Sequence, residues 1–146
     1  MPGQNSSGKC IIDEGNLFNG NLSIFVPLSE DKSVTNGKHN LFASDIRIAA
    51  ATEHLVYDIN TKEKFNIEQG VEIGDKNWIG TEVLFLNKAA CSNNSVIGAR
   101  SVVTKKIDEP NVLIAGNPAK IRKRNISWHR CLDESYLHTD NPLLQI

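Results

Sequence analysis

The sequence predicts an all-β protein, a parallel β-helix of about four triangular coils with a protruding loop and a short C-terminal extension. The first observation is a six-residue spacing of apolar or thiol side chains, at Ile73, Ile79, Phe85, Cys91, Ile97 and Val103. The residue two places before each of these is short, and glycine follows three of the six. A period of six fits neither an amphipathic helix nor a single alternating strand. Hexapeptide repeats are typical of a parallel β-helix.

The ladder assigns one inward-facing residue to each side of four coils. These residues are Ile12, Phe18 and Ile24, then Asn36, Phe42 and Ile48, then Ile73, Ile79 and Phe85, then Cys91, Ile97 and Val103. Asn36 is the exception, because an apolar side chain is expected at an inward position. We expect glycine at the corners, since it adopts positive φ without a Cβ clash.

Two segments interrupt the ladder. Residues 25–33 contain Pro27 and are expected to bulge, whereas residues 49–70 form a loop that contains His54. A loop of about twenty residues within a compact repeat is uncommon and is usually functional. The loop at residues 49–70 is therefore the first place to look for catalytic residues.

The length of 146 residues predicts one domain. Within it, residues 1–107 are predicted to contain the β-helix with an N-terminal cap and the loop. Residues 108–146 form a C-terminal extension with an exit strand and a short helix. The spacing by four of Trp128, Leu132 and Tyr136 places the helix, which would close the end of the prism or an oligomer.

Composition excludes several classes of protein. Hydrophobic residues make up 40% of the chain, charged residues 23%, and no apolar run suggests a membrane span. The net charge of −1 argues against nucleic-acid binding. The first eight residues lack the features of a signal peptide. Three cysteines without CxxC spacing favour free thiols in a reducing compartment, so we expect a cytoplasmic protein.

Basic residues are concentrated between Gly98 and Arg130. This stretch holds eight Lys and Arg against two acids, a balance of +6, so the rest of the chain carries −7. A basic cluster in a near-neutral chain indicates one site for an anionic ligand. A solvated basic tail explains the charge equally well.

Several segments resemble the left-handed β-helix acyltransferases, the hexapeptide-repeat family. They are IGDKNWIG at 73–80, SVIGARSVVTK at 95–105 and IAGNPAK at 114–120. The loop segments TEHLVYD at 52–58 and EKFN at 63–66 are most similar to bacterial capsular polysaccharide and sialic acid O-acetyltransferases. The left-handed winding follows only from this resemblance, because β crossovers are generally right-handed.

The resemblance implies transfer of an acetyl group from acetyl-CoA to a hydroxyl of a bacterial surface-glycan sugar, with sialic acid among the candidates. It implies that His54 is the catalytic base and that Trp78, 24 positions later, acts beside the thioester. An imidazole with a pKa of ~6.5 is largely neutral at pH 7 and can accept the hydroxyl proton. Glu53, Asp58 or a backbone carbonyl would orient it.

The family also implies a donor site and an assembly. The arm of CoA would run along Gly98, Ala99 and Ser101, where little bulk covers the backbone. Two or three cations would bind its phosphates, from the set Lys105, Lys120, Arg122, Lys123 and Arg124. The expected partners are this acyl donor, a glycan acceptor and two further copies in a homotrimer, with no metal, nucleic acid or membrane span.

Other functions share this fold. The acceptor could be the amine of an amino sugar or the hydroxyl of an antibiotic. A γ-type carbonic anhydrase needs three histidine ligands, but His129 and His138 lie past the prism, which leaves only His39 and His54. A non-enzymatic β-helix subunit should lack the His54–Trp78 pair and the basic exit.

Overall fold

The structure, a computed structural model, describes residues 8–132 and 134–138. Its strands are β1 (Lys9–Ile12), β2 (Leu17–Phe18), β3 (Leu22–Phe25), β4 (Ser33–Asn36), β5 (Leu41–Phe42), β6 (Ile46–Ala49), β7 (Val71–Ile73), β8 (Trp78–Ile79), β9 (Leu84–Leu86), β10 (Ala90–Cys91), β11 (Val96–Ile97), β12 (Val102–Val103), β13 (Lys106–Ile107), β14 (Val112–Gly116) and β15 (Ala119–Arg124). A short 3₁₀ helix, Glu134–His138, follows them. Within the described residues, no helix is long and apolar enough to cross a membrane.

Every third strand returns to the same face of a three-sided prism. The first face is β1-β4-β7-β10-β13, the second is β2-β5-β8-β11-β14 with β15 at its edge, and the third is β3-β6-β9-β12. All pairings are parallel except that of β14 with β15. This order gives four complete coils and the first two sides of a fifth, and it confirms the predicted parallel β-helix.

The strand register confirms the predicted ladder. The inward residues pair from coil to coil as Ile12–Asn36–Ile73–Cys91, Phe18–Phe42–Ile79–Ile97 and Ile24–Ile48–Phe85–Val103. In the second to fourth coils none of these side chains is more than 4% exposed. In the first coil, Ile12 and Phe18 are 46% and 42% exposed. The predicted N-terminal cap falls partly on residues 1–7, outside the described residues.

A column of short polar side chains fixes the register at the corner between the first and second faces. Each side-chain oxygen accepts a hydrogen bond from the backbone N–H of the next coil. The backbone N–H of Asn40 donates to Oδ1 of Asn16 at 2.8 Å, that of Asn77 to Oδ1 of Asn40 at 2.7 Å, and that of Ser95 to Oδ1 of Asn77 at 2.9 Å. Asn40, Asn77 and Ser95 have no exposed surface, so each bond satisfies a backbone donor that water cannot reach.

Only some of the corner glycines have the positive φ that we expected. Gly15, between β1 and β2, has a φ of 73°, but positive φ at the corners is also adopted by residues with side chains, among them Lys76, Glu82 and Arg100. Gly74 and Gly80 are not among the residues with positive φ. A Cβ on Gly74 would lie 2.8 Å from the carbonyl oxygen of Ser92, and one on Gly80 would lie 2.7 Å from the nitrogen of Ala99. Close stacking of the coils therefore requires these two glycines, and the expectation based on φ is wrong for them.

The chain reverses after its last parallel strand. Strand β14 stacks on β11, and β15 then returns antiparallel to β14 after the cis Asn117–Pro118 peptide. Parallel stacking thus continues past residue 107, and a hairpin takes the place of the single predicted exit strand.

The C-terminal helix is shorter than the apolar spacing suggested. Trp128 and Leu132 precede the helix, and only Tyr136 of the three lies within it. The indole N–H of Trp128 donates to the carbonyl of Lys76 at 2.8 Å, and Nδ1 of His129 accepts from the backbone N–H of Cys131 at 3.2 Å. Such side-chain bonds to the backbone compete with helical hydrogen bonds.

Replacement of Asn77 by alanine is expected to destabilise the fold strongly. The variant leaves the N–H of Ser95 and the carbonyl of Ser92 without their buried partners. At about 1–3 kcal/mol for each of these two unsatisfied groups, we expect a loss of about 2–6 kcal/mol in the free energy of unfolding. Urea denaturation measures it, with the exposed loop substitution Asn60→Ala as control. Equal stability of the two variants would contradict the proposed role of this column.

Candidate active site

The predicted catalytic loop leaves the prism at the corner between the third and first faces. It runs from the end of β6 to the start of β7, and the bridge between Tyr57 and Lys64 folds it back on itself. Within this turn the Asp58 carboxylate accepts backbone hydrogen bonds from Thr61 and Asn60, at 2.8 and 2.7 Å. These bonds lower the pKa of Asp58. The carboxylate that we predicted to orient the base thus caps its own turn.

His54 is exposed, but its backbone is held in place. The side-chain amide of Asn66 donates to the carbonyl oxygen of His54, and its oxygen accepts from the N–H of Val56 at 3.0 Å. Glu53 is also exposed. The loop therefore presents an accessible imidazole, and the Asn66 side chain holds the backbone on both sides of Leu55 in place.

Glu68 anchors the base of the loop. Its side chain accepts hydrogen bonds from the backbone N–H groups of Leu28 at 3.0 Å, Ser29 at 2.9 Å and Thr52 at 3.1 Å. The Ser29 hydroxyl donates a fourth at 2.6 Å. Burial by itself would raise the pKa of Glu68, but these bonds outweigh it and lower the pKa to about 2. The carboxylate joins the catalytic loop to the bulge that follows β3.

Trp78 lies on β8, in the second face, and is 43% exposed. The ring of Trp128 contacts it with a centroid distance of 6.2 Å and an interplanar angle of 45°. Since Trp128 is itself bonded to the backbone of Lys76, the C-terminal segment holds one side of the Trp78 indole. Trp78 remains partly exposed despite this contact.

The chain does not place His54 and Trp78 on the same side of the prism. The loop leaves the corner between the third and first faces, whereas Trp78 lies on the second face. In a three-sided coil that corner is opposite the second face. Within one chain, the loop and Trp78 therefore start from opposite sides of the prism.

The three small residues predicted to bind the arm of CoA lie at and beside the corner that joins the second and third faces. Gly98 is partly exposed and Ala99 is exposed, but Ser101 is buried. The Ser101 hydroxyl donates to the carbonyl of Gly98 at 2.6 Å and accepts from the N–H of Gly116 at 3.1 Å. Its hydroxyl is thus engaged within the fold, where it ties the corner of the fourth coil to the end of β14.

The structure brings two of the five predicted phosphate-binding cations together. Lys105 and Lys120 line one cleft of about 440 Å³, together with Lys106, Ile107, Asp108, Glu109 and Ile121. The other cations lie outside this lining. Arg122 donates to the carbonyl of Ala115 at 2.9 Å, Arg124 pairs with Glu109 at 2.9 Å, and Lys123 is exposed.

Sequence reasoning did not identify Glu68 or the contact of Trp128 with Trp78. A single acidic residue three positions before a buried strand is a weak signal, because its partners Leu28 and Ser29 are 40 and 39 residues away. No three His, Cys, Asp or Glu side chains form a candidate metal site in the part of the chain that the structure describes.

The Glu68 carboxylate is expected to make stability depend on acidic pH. Its pKa is lowered from 4.5 to about 2 in the folded protein, so its contribution is complete above pH 4.5 and is lost as pH falls toward 2. We expect the wild type to lose about 2 kcal/mol more than Glu68→Gln between pH 6 and pH 3. Urea denaturation at both pH values measures this, and Glu30→Gln, an exposed acid in the bulge, is the control. Parallel losses in all three proteins would contradict the assignment.

Comparisons with known proteins agree with this fold. No family model matches the chain. The polysialic acid O-acetyltransferase of Escherichia coli O1:K1 / APEC is 36% identical over 118 residues, which cover 80% of this chain and 38% of that protein. The structure of the polysialic acid O-acetyltransferase OatWY matches with a TM-score of 0.79 and 33% identity, over 92% of this chain and 62% of that one. A galactoside acetyltransferase in complex with coenzyme A matches with a TM-score of 0.63 and 26% identity, over 94% and 62%.

The chain thus spans well under half the length of this curated relative and about three fifths of each solved chain. The similarity nevertheless covers most of the present chain. In sequence and fold the chain is therefore similar to the hexapeptide-repeat acetyltransferases, and its parallel β-helix matches their left-handed one.

Proposed function

We propose that this protein is an acetyl-CoA-dependent O-acetyltransferase that acetylates a hydroxyl of a bacterial surface-glycan sugar. The observation that carries the proposal is the exposed His54 imidazole on a braced loop, in a chain more than 30% identical to named polysialic acid O-acetyltransferases. Those names favour sialic acid as the acceptor sugar. The coenzyme A complex of the galactoside acetyltransferase supports acetyl-CoA as the donor.

His54 acts as the general base. Its imidazole takes the proton of the sugar hydroxyl as the hydroxyl oxygen attacks the carbonyl carbon of the thioester. The tetrahedral intermediate then breaks its C–S bond, and the imidazolium returns the proton to the departing CoA thiolate. The acetyl group ends as an ester on the sugar, and no external acid or oxidant is needed.

The active site forms between neighbouring chains of a homotrimer. The His54 loop and Trp78 lie on different sides of one prism, so the loop of one subunit meets the second face of the next. The loop also carries large apolar side chains that are at least 45% exposed, which are Leu55, Val56, Tyr57, Ile59, Phe65 and Ile67. An exposed apolar cluster of this size favours burial against a partner. Trp78 then lies beside the thioester, with its indole N–H available as a donor.

Acetyl-CoA lies along the coils that lead to the C-terminal hairpin. Its pantetheine arm passes Gly98 and Ala99, where small side chains leave room close to the backbone. Its phosphates bind in the cleft that contains Lys105 and Lys120. We infer a cytoplasmic site of action, because all three cysteines, Cys10, Cys91 and Cys131, are free thiols.

The His54→Ala variant is expected to lose about 10²–10⁴-fold in kcat, because the hydroxyl loses its proton acceptor. Release of free thiol from acetyl-CoA, with sialylated and non-sialylated bacterial glycans as acceptors, measures the activity. His39→Asn, at a corner with positive φ that asparagine tolerates, is the control and should remain active. Full activity of His54→Ala would exclude His54 as the base.

The double variant Lys105→Ala/Lys120→Ala is expected to raise KM for acetyl-CoA about 10-fold or more with little change in kcat, because each cation contributes about 1 kcal/mol or more to phosphate binding. Initial rates at varied acetyl-CoA concentration measure this. Lys9→Ala/Lys32→Ala, which removes one lysine from β1 and one from the bulge after β3, is the charge-matched control. An unchanged KM would place the phosphates elsewhere on the protein.

A further inference from the structure

We propose that Glu68 is a positioning residue that holds the His54 loop in its working conformation by tying it to the bulge at residues 26–32. This inference rests on the proposed function, because the conformation that matters is the one in which His54 reaches the acceptor hydroxyl. It gives a role to the first interruption of the ladder, which the proposed chemistry leaves unused.

The contacts of Glu68 join three separate parts of the chain. One carboxylate oxygen, Oε1, accepts from the backbone N–H groups of Leu28 in the bulge and Thr52 at the start of the loop. The other, Oε2, accepts from the N–H and the hydroxyl of Ser29. Glu68 is only 8% exposed, so these donors rather than water solvate its charge. A charge solvated in this way holds its donors at defined positions.

The anchor lies close to the base in the chain and is connected to it on both sides. Thr52 is two residues before His54, and Asn66, two residues before Glu68, binds the His54 carbonyl oxygen and the Val56 N–H. Asn87 in the third coil accepts from the N–H of Gln69 and donates to the carbonyl of Ile67, both at 2.8 Å. The loop is thus fastened to the prism on each side of Glu68, and the carboxylate fixes the backbone at Thr52, near the start of the loop.

All the partners of Glu68 in this network are hydrogen-bond donors, which determines how it can be tested. A glutamine has nearly the same volume, but its amide N–H₂ would face N–H and O–H groups that need an acceptor. Glu68→Gln therefore releases the bulge or Thr52 without creating a cavity. The matched control is Glu30→Gln, which removes the same charge from an exposed position in the same bulge.

The first measurement is steady-state kinetics of acetyl transfer. We expect Glu68→Gln to lower kcat about 10- to 100-fold, because small displacements of a catalytic group cost this much. KM for acetyl-CoA should stay the same, since the lysine cleft is lined by residues 105–109 and by Lys120 and Ile121 of β15, away from the loop. Ser29→Ala removes one of the four donors and should give an intermediate loss. Two results would overturn the proposal. One is a kcat for Glu68→Gln equal to that of Glu30→Gln, and the other is a rise in KM for acetyl-CoA as large as the fall in kcat.

The second measurement is amide hydrogen exchange, which does not depend on activity. In Glu68→Gln the amide oxygen can keep only one set of these bonds, so the N–H of Ser29, or those of Leu28 and Thr52, should exchange faster, and the core strands should not change. Unchanged exchange at all three N–H groups would overturn the proposal even if activity fell. If the wild type transfers no acetyl group to any glycan, the proposed function fails, but exchange at these N–H groups still decides whether Glu68 holds the loop.

Discussion

Parallel hydrogen bonding between successive coils is the constraint on which the rest of the structure depends. Each strand is bound to the strand one coil earlier and one coil later, so the position of any residue is set by its coil and its face. Strands spaced at ~4.8 Å leave little room at the corners. Buried Asn and Ser side chains satisfy the backbone at one corner, and glycine allows close approach near others. The frame that results is rigid enough to hold sites on its faces and corners.

The functional parts are departures from this frame. The bulge after β3 and the loop after β6 emerge from the same corner in successive coils, where Glu68 can bind both. On the second face, the C-terminal segment folds back so that Trp128 contacts Trp78. The hairpin of β14 and β15 brings Lys120 beside Lys105. The bulge, the loop and the C-terminal segment are each held by side-chain hydrogen bonds to other parts of the chain.

The ladder could be predicted because its signal is local. The six-residue period places twelve inward residues in the register that the strands adopt, and both interruptions fall where the sequence indicated. The exceptional Asn36 is buried in its predicted inward position, where its Oδ1 accepts from Asn40 at 3.0 Å and its Nδ2 has no partner. The side-chain amide of Asn40 thus gives Asn36 one hydrogen bond, which its apolar neighbours on the ladder could not give.

The features that could not be predicted depend on distant contacts. The partners of Glu68 are up to 40 residues away, and no period connects them. The role of Gly74 and Gly80 depends on atoms of the next coil rather than on their own φ. In the sequence, nothing separates the five predicted phosphate-binding cations from one another, because each carries one positive charge. The fold of the hairpin places Lys105 and Lys120 in one cleft and leaves the other three outside its lining. Whether His54 and Trp78 meet depends on assembly, which a single chain does not contain.

The most direct test of the shared active site is complementation between two inactive variants, His54→Ala and Trp78→Ala. Co-expressed at equal levels, they form mixed assemblies in which some interfaces combine an intact His54 from one chain with an intact Trp78 from its neighbour. Random assembly makes about a quarter of the interfaces complete, so we predict acetyl transfer at about a quarter of the wild-type rate. A mixture no more active than either variant alone would contradict a site shared between subunits.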